Sequence, residues 1–301
     1  MPQDSMNVTA VSRVVLDEFP GDDGEARVVL GGSGFWAAFG ARVWIDGVTI
    51  ATRTGPDIDP HIPRLQALGI DQSGFVSHPE PTSRTVIRYP RPEEREETSV
   101  YGWDHAVRMR AMPADFSGPV ANSRAFYVFR GWHPGFWPAM LSLRARTGAL
   151  LLWEIPEAIC VPSELDSIRK VLPFVDVLSL NLQEGRQLLG HRAPDSVVEL
   201  LHASGVGIVT LRLGADGCLV SDTKRRVRAR PAPSAEVVDV TGGGNAFSGG
   251  FLAALLCRPG DLEGCTRAAM TSAALAIRQI GPPGRVDRRA AGSVFDNIRI
   301  A

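Results

Sequence analysis

The residues best suited to chemistry form one run: Val238-Asp239-Val240-Thr241-Gly242-Gly243-Gly244-Asn245-Ala246-Phe247-Ser248-Gly249-Gly250. Apolar and β-branched residues lead up to Thr241, three glycines follow, and an apolar, small-residue segment continues through Phe251, Leu252, Leu255 and Leu256. The pattern predicts a strand, a tight glycine turn and a helix. Three consecutive glycines admit backbone conformations closed to other residues and keep Cβ atoms away from a ligand. A helix N-terminus adds unsatisfied N–H groups and the positive end of the helix dipole. Together they form a cradle for an anion, most often a phosphate. A tight turn with close helix–sheet packing explains the same run, so the elements around it must separate the two readings.

Those elements alternate. Strands are expected at Val8 to Leu16, Arg27 to Leu30, Val43 to Thr52, Thr82 to Tyr89, Ala125 to Phe129, Ala149 to Trp153, Val175 to Leu180, Gly207 to Leu213 and Gly217 to Ser221. Helices are expected at Phe35 to Ala41, Pro63 to Leu68, Met140 to Arg146, Ser163 to Leu172 with Ser163 as N-cap, Glu184 to Leu189, Ser196 to Ala203, Asn245 to Cys257 and Leu262 to Gln279. Pro20 to Gly24 reads as a turn, Arg91 to Glu97 as a solvated loop, and Lys224 to Arg230 as an exposed strand with outward arginines. This cadence predicts an α/β fold, a doubly wound, mostly parallel sheet with helices on both faces. Ligands in such sheets bind beyond the carboxyl ends of strands. Polar and glycine residues fall at those ends: Asp17, Gly31-Gly32, Arg130, Glu154, Asn181 with Glu184, and the Gly242 run.

The composition narrows the class. With 44% hydrophobic and 22% charged residues, the 301-residue chain has the balance of a globular protein with a sizeable core. A net charge of -1 gives no electrostatic case for nucleic acid or a membrane surface. Lysine occurs only at 170 and 224, so arginine carries almost all the positive charge. Four cysteines without C-x-x-C spacing indicate neither a disulfide scaffold nor a zinc site, and a reducing, cytoplasmic compartment is expected. Neither a signal peptide nor an apolar run of transmembrane length is evident.

Several ordered motifs resemble those of the ribokinase-like PfkB family of carbohydrate and nucleoside kinases. Asp239 to Asn245 is similar to its D-T-x-G-A-G-D signature, Asn181-Leu182-Gln183-Glu184 to its N-x-x-E motif, and Leu213 to Gly217 to its L-G-x-x-G element. Gly31-Gly32 stands where the family has a substrate-side glycine pair, and Asp17 where an aspartate contacts sugar hydroxyls. Stretches such as Leu30 to Gly34, Trp153 to Pro156 and Gln279 to Pro283 resemble the maintenance-of-killer-like branch. The resemblance implies one ribokinase-like domain over residues 1–301 with a small β lid from 18–30 and 82–112. It implies ATP and Mg²⁺ as cofactors and a small-molecule substrate, with a homodimer through the lid strands as one arrangement. Gly242, Gly243 and Gly244 would neutralise charge on the transferred phosphate. Asn181 and Glu184 would orient a hydrated Mg²⁺, with Glu184 acting through water. ATP would lie near Leu213, Gly214, Gly217 and the 279–283 loop, while Asp17, Gly31, Gly32 and Arg130 would meet the substrate.

The pattern breaks at two places. The family's general base is the last Asp of the signature, and here that position is Asn245. A neutral amide does not take a proton from a substrate hydroxyl at neutral pH. The Asn that usually follows the glycine pair is replaced by Phe35-Trp36, which suggests a flatter, more aromatic pocket that Trp132 and His133 would share. Three readings stand: a phosphotransferase with a different base, Asp17 or Glu154 being the candidates; a non-catalytic nucleotide- or sugar-binding protein; and an enzyme that reuses the anion hole for cleavage or transfer at an anomeric carbon of a nucleoside-like ligand.

Overall fold

The computed structural model describes residues 6–21, 24–91, 94–231 and 236–301. Asp22-Asp23 of the expected turn and Pro92-Glu93 of the expected loop lie outside the described residues.

The strands are β1 (Asn7–Val11), β2 (Val15–Pro20), β3 (Ala26–Gly31), β4 (Gly47–Thr54), β5 (Phe75–Ser77), β6 (Arg84–Arg91) and β7 (Glu94–Ser99). They continue as β8 (Ala125–Phe129), β9 (Leu150–Glu154), β10 (Val177–Asn181), β11 (Ile208–Arg212), β12 (Cys218–Asp222), β13 (Arg226–Arg230) and β14 (Arg299–Ile300). The helices are α1 (Ser33–Arg42), α2 (Ile62–Ala67), α3 (Gly102–Arg108), α4 (Gly118–Ala121), α5 (Phe136–Thr147) and α6 (Leu165–Arg169). They end with α7 (Leu182–Leu189), α8 (Pro194–Ala203), α9 (Gly243–Cys257), α10 (Leu262–Ala276) and α11 (Arg288–Asn297).

Among the described residues the strands form two sheets. The larger runs β14-β13-β12-β11-β10-β9-β8-β1-β4-β5 and is parallel from β11 to β5, with β12, β13 and β14 added antiparallel. The smaller runs β3-β2-β6-β7. Side chains along the parallel strands alternate between two cores, as a period of two dictates. Tyr127 and Leu152 pack with α1, α9 and α10, whereas Phe126, Val128, Leu151 and Trp153 pack with α5 and α8. Helices on both faces explain why these strands read as nearly continuous apolar runs.

The structure departs from the sequence expectation at several elements. The apolar run Val8 to Leu16 is two strands in two sheets, broken at Ser12–Val14. Asp17 therefore sits within β2 and not at the end of a strand of the main sheet. The run before Thr241 is a loop: Val237, Val238 and Val240 are 57%, 51% and 65% exposed, with no strand partner. β-Branched residues favour a pleated, half-buried surface, and none is offered here. The Arg91 to Glu97 stretch supplies β7, a charged edge strand of the small sheet. Ser163 falls inside a 3₁₀ turn, and α6 starts after Glu164 without a side-chain cap. Within the expected lid segment 82–112, residues 102–108 form α3.

Candidate active site

α1 and α9 start at the same edge of the large sheet, and glycine permits their close approach. A Cβ at Gly40 would lie 2.0 Å from the Ala246 carbonyl oxygen, and one at Gly249 only 1.9 Å from that of Ala37. The N-termini of both helices face one cavity of about 220 Å³. Asp17, Gly32, Trp36, Gly242 and Asn245 line it, with Arg13 from the loop after β1 and Thr85 and Glu97 from the small sheet. The Asp17 carboxylate occupies the space beside Gly31, where a Cβ would stand 1.7 Å from Oδ2. Gly32 has φ 87° and Gly242 φ 76°, a left-handed region that favours glycine. At Gly242 a Cβ would also overlap the Trp36 ring at 2.1 Å. Trp36 is buried, and among the described residues its Nε1 has no hydrogen-bond partner.

The glycine run is held by a local carboxylate. Asp239 Oδ1 accepts bonds from Thr241 N (2.9 Å), Thr241 Oγ1 (2.6 Å) and the Tyr89 hydroxyl (2.8 Å) of β6. Gly243 N donates to Val240 O at 3.2 Å and Ala246 N to Gly242 O at 2.8 Å. The N–H groups of Gly244 and Asn245 make no hydrogen bond among the described residues. The cradle is thus narrower than the three glycines suggest, since the Gly243 amide is already spent on the turn.

A buried polar chain runs from Asn245 across the strand ends. Asn245 Nδ2 donates to the Tyr127 hydroxyl at 3.0 Å, and that hydroxyl donates to Glu154 Oε2 at 3.0 Å. Glu154 Oε1 pairs with Arg212 Nη2 at 3.0 Å, and Arg212 also lies 3.6 Å from Glu184 Oε2. Arg212 Nη1 donates to Ser179 Oγ at 2.8 Å, and Ser179 Oγ lies 2.8 Å from Ser248 Oγ of α9. The guanidinium also packs on the cradle, because a Cβ at Gly244 would be 3.2 Å from Arg212 Nε. Burial, followed by the field of Glu154, pushes the Tyr127 phenol well above its ordinary value, so it remains a donor at neutral pH. Glu154, one of the two candidate bases, is held by this chain and does not line the smaller cavity.

Asn181 and Glu184 form a reciprocal cap on α7: Glu184 N donates to Asn181 Oδ1 at 2.8 Å, and Asn181 N to Glu184 Oε2 at 2.6 Å. Burial raises the Glu184 carboxyl above its ordinary value, partly offset by Arg212. Asn181, Arg212, Leu213 and Gly214 border a second cavity of about 760 Å³.

The remaining sequence candidates lie elsewhere. Gly217, with φ 90°, is required by the Ala229 carbonyl, which a Cβ would meet at 1.9 Å, and it does not line either cavity. Pro282 of the 279–283 loop borders a different cavity with Val28 and His61, away from Leu213 and Gly214. Arg130 is buried and does not line the smaller cavity, donating to Ala111 O at 3.1 Å and stacking on Phe136. Trp132 is 39% exposed, and His133 Nδ1 accepts the Gly135 and Phe136 amides; neither residue lines the smaller cavity. Tyr127 and Arg212 escape sequence reasoning because each sits in an apolar strand and reads as packing or as a strand end.

The model of the pfkB family carbohydrate kinases matches residues 11–285. A cytidine kinase of Thermococcus kodakarensis is 33% identical over 117 residues, covering 38% of this chain and 42% of that one. An uncharacterised protein of Schizosaccharomyces pombe is 24% identical over 99% of this chain and 93% of its own length. The crystal structure of an E. coli protein described as a ribokinase II, in complex with ATP and Mg²⁺, superposes with a TM-score of 0.79 at 18% identity. It covers 97% of this chain and 99% of the other. The matched model is that of the whole family and does not separate the maintenance-of-killer-like branch. With a family model spanning nearly its full length and a ribokinase-like fold beneath it, the chain belongs to the PfkB family of carbohydrate kinases.

Proposed function

We propose that the protein is an ATP-dependent phosphotransferase acting on a small sugar- or nucleoside-like substrate. The observation that carries this reading is the place of the α9 N-terminus between the two cavities. Gly242 and Asn245 line the smaller one, and Gly244 abuts Arg212, which lines the larger. A group passing between the pockets meets the unengaged Gly244 and Asn245 amides and a fixed guanidinium. Preorganised donors of this kind stabilise charge without reorganising during the reaction. Asn181, Leu213 and Gly214 line the larger cavity and would border the nucleotide, while Glu184, buried behind its cap with Asn181 and not on the cavity wall, would act on a hydrated cation through water. Bound there, Mg²⁺ and ATP would supply the phosphoryl group and offset charge on its oxygens. Four free cysteines, three of them buried, support a reducing, cytoplasmic setting.

Asn245 has a defined part in this reading. Its Nδ2 is committed to Tyr127, which leaves Oδ1 to accept a bond from a substrate hydroxyl and orient it. General-base catalysis is typically worth about 10²–10⁴-fold, so a plain sugar alcohol should turn over slowly. Asp17 is the carboxylate in the cavity closest in kind to a replacement. The Asn245–Tyr127 bond also favours the reading in which the protein binds without catalysis. Thermal unfolding with ATP, with and without Mg²⁺, tests the proposal: stabilisation that depends on Mg²⁺ is expected. No stabilisation under either condition overturns it, and stabilisation without ADP formation on any sugar or nucleoside leaves the binding reading.

A further inference from the structure

The cavity that Pro282 borders with Val28 and His61 has a volume of about 420 Å³ and lies between β3, α2 and the 279–284 loop. Four consecutive residues of β3, Arg27 to Leu30, line it. Successive side chains of a strand point to opposite faces, so four in a row on one wall mean that the cavity meets the edge of the strand and not a face. β3 is the outermost strand of the small sheet, and its edge away from β2 pairs with no strand among the described residues. Backbone N–H groups on such an edge point outward and are available to a ligand.

Two guanidiniums reach the same loop from different elements. Arg27 Nη2 of β3 donates to Ile280 O at 3.4 Å, and a Cβ at Gly284 would stand 3.5 Å from Arg64 Nη1 of α2. Both arginines line the cavity, and both are exposed, so the site fills from solvent. Among the described residues no carboxylate lines this cavity, and neither Arg27 nor Arg64 is ion-paired. A guanidinium stays charged throughout the neutral range. Burial lowers the His61 imidazole, which is neutral at pH 7 and adds one N–H. Cations from two elements together with strand-edge amides suit an anion with oxygens on several sides. A phosphate presents three such acceptors, whereas a carboxylate offers two oxygens in one plane.

We propose that this cavity is a second anion site, separate from the glycine cradle, that takes a small phosphate-bearing effector and clasps β3 to α2 and the 279–284 loop. It stands independently of the phosphotransferase reading. Leu30 on its wall is followed by Gly31 and Gly32, and Gly32 lines the smaller cavity. An anion held here therefore steadies the strand that carries the glycine pair to the candidate active site.

Amide hydrogen exchange read by mass spectrometry, with sodium pyrophosphate as the probe and no Mg²⁺ or nucleotide, tests the proposal and localises the binding. Exchange over residues 26–31, 60–67 and 279–284 is expected to slow by about threefold or more at saturation, because opening there must release the anion. Arg27→Met and Arg64→Met are each expected to abolish that protection, while any protection over 241–250 at the cradle persists. Arg64→Lys keeps the charge without the fork and should retain part of the effect, which separates recognition from folding. Protection confined to 241–250, no protection at all, or protection of the three segments that survives in both Met variants overturns the proposal. Equal protection by malonate at the same ionic strength overturns the assignment to phosphate. The Mg²⁺-dependent response to ATP is a separate measurement, so its failure removes the kinase reading and leaves this site to its own test.

Discussion

At the scale of the residue, Asn245 is best understood together with Tyr127 and Glu154. A tyrosine hydroxyl has one proton to give. It gives that proton to Glu154 and accepts from the Asn245 amide, so every member of the buried chain is satisfied. An aspartate at 245 would set two carboxylates against one hydroxyl proton, leaving a buried acceptor without a donor. Such a group costs about 1–3 kcal/mol, more when charged. Asn245→Asp is therefore expected to lower stability by at least that amount and to give little gain in turnover. The same substitution in a Tyr127→Phe background should cost less, a non-additivity of about 1 kcal/mol or more in a double-mutant cycle read by chemical denaturation. Strict additivity would show that the two positions are not coupled.

At the scale of the element, the site depends on how closely α1 and α9 cross. Their glycines are not interchangeable with alanine, because the opposing atoms at Gly40 and Gly249 are backbone and cannot rotate away. Overpacking of this kind costs typically about 1–3 kcal/mol. Gly249→Ala should lower the melting temperature and blunt stabilisation by ATP with Mg²⁺, since it displaces the helix whose N-terminus forms the cradle. Gly292 in α11 is the control, with nothing within 4 Å of its added Cβ. Gly292→Ala should be neutral or stabilising by about 0.5–1 kcal/mol. A Gly249→Ala protein that melts like wild type would remove close helix contact as the reason for that glycine.

At the scale of the whole molecule, surface carboxylates held by arginines or backbone amides set the response to acid. The hydrogen bond from Arg288 holds Asp46 below its ordinary value, the bond from Arg108 does so for Glu80, and the Ala290 amide does so for Asp287. Each contributes stability that is present above its unfolded value near pH 4 and lost as pH falls through the lower folded value. Glu184 has the opposite sign. Burial raises its carboxyl, so its contribution favours folding at low pH and is lost as pH rises through the raised value. With Asp222, whose burial is outweighed by the bond from Arg225, four depressed carboxylates against one raised carboxylate predict a melting temperature that falls below about pH 4. A melting temperature that rises on acidification to pH 3 would contradict that balance.

Local patterning made the large sheet legible. β8 and β10 are short apolar runs with polar residues at their ends, and α9 announces itself through small residues after a glycine turn. The N-x-x-E cap is likewise a local motif, with reach fixed by helix geometry. The loop before Thr241 was not legible, because Val237, Val238 and Val240 have the composition of a strand and lack only a neighbour to pair with. Nor was the split at Ser12–Val14, since only the separation into two sheets distinguishes one apolar run from two strands. The sequence by itself determined the alternating α/β order, the glycine turn that opens α9 and the neutral residue at position 245. Only the tertiary structure decided what that residue is bonded to, because Tyr127, Glu154 and Arg212 meet it through strand order and not through spacing along the chain.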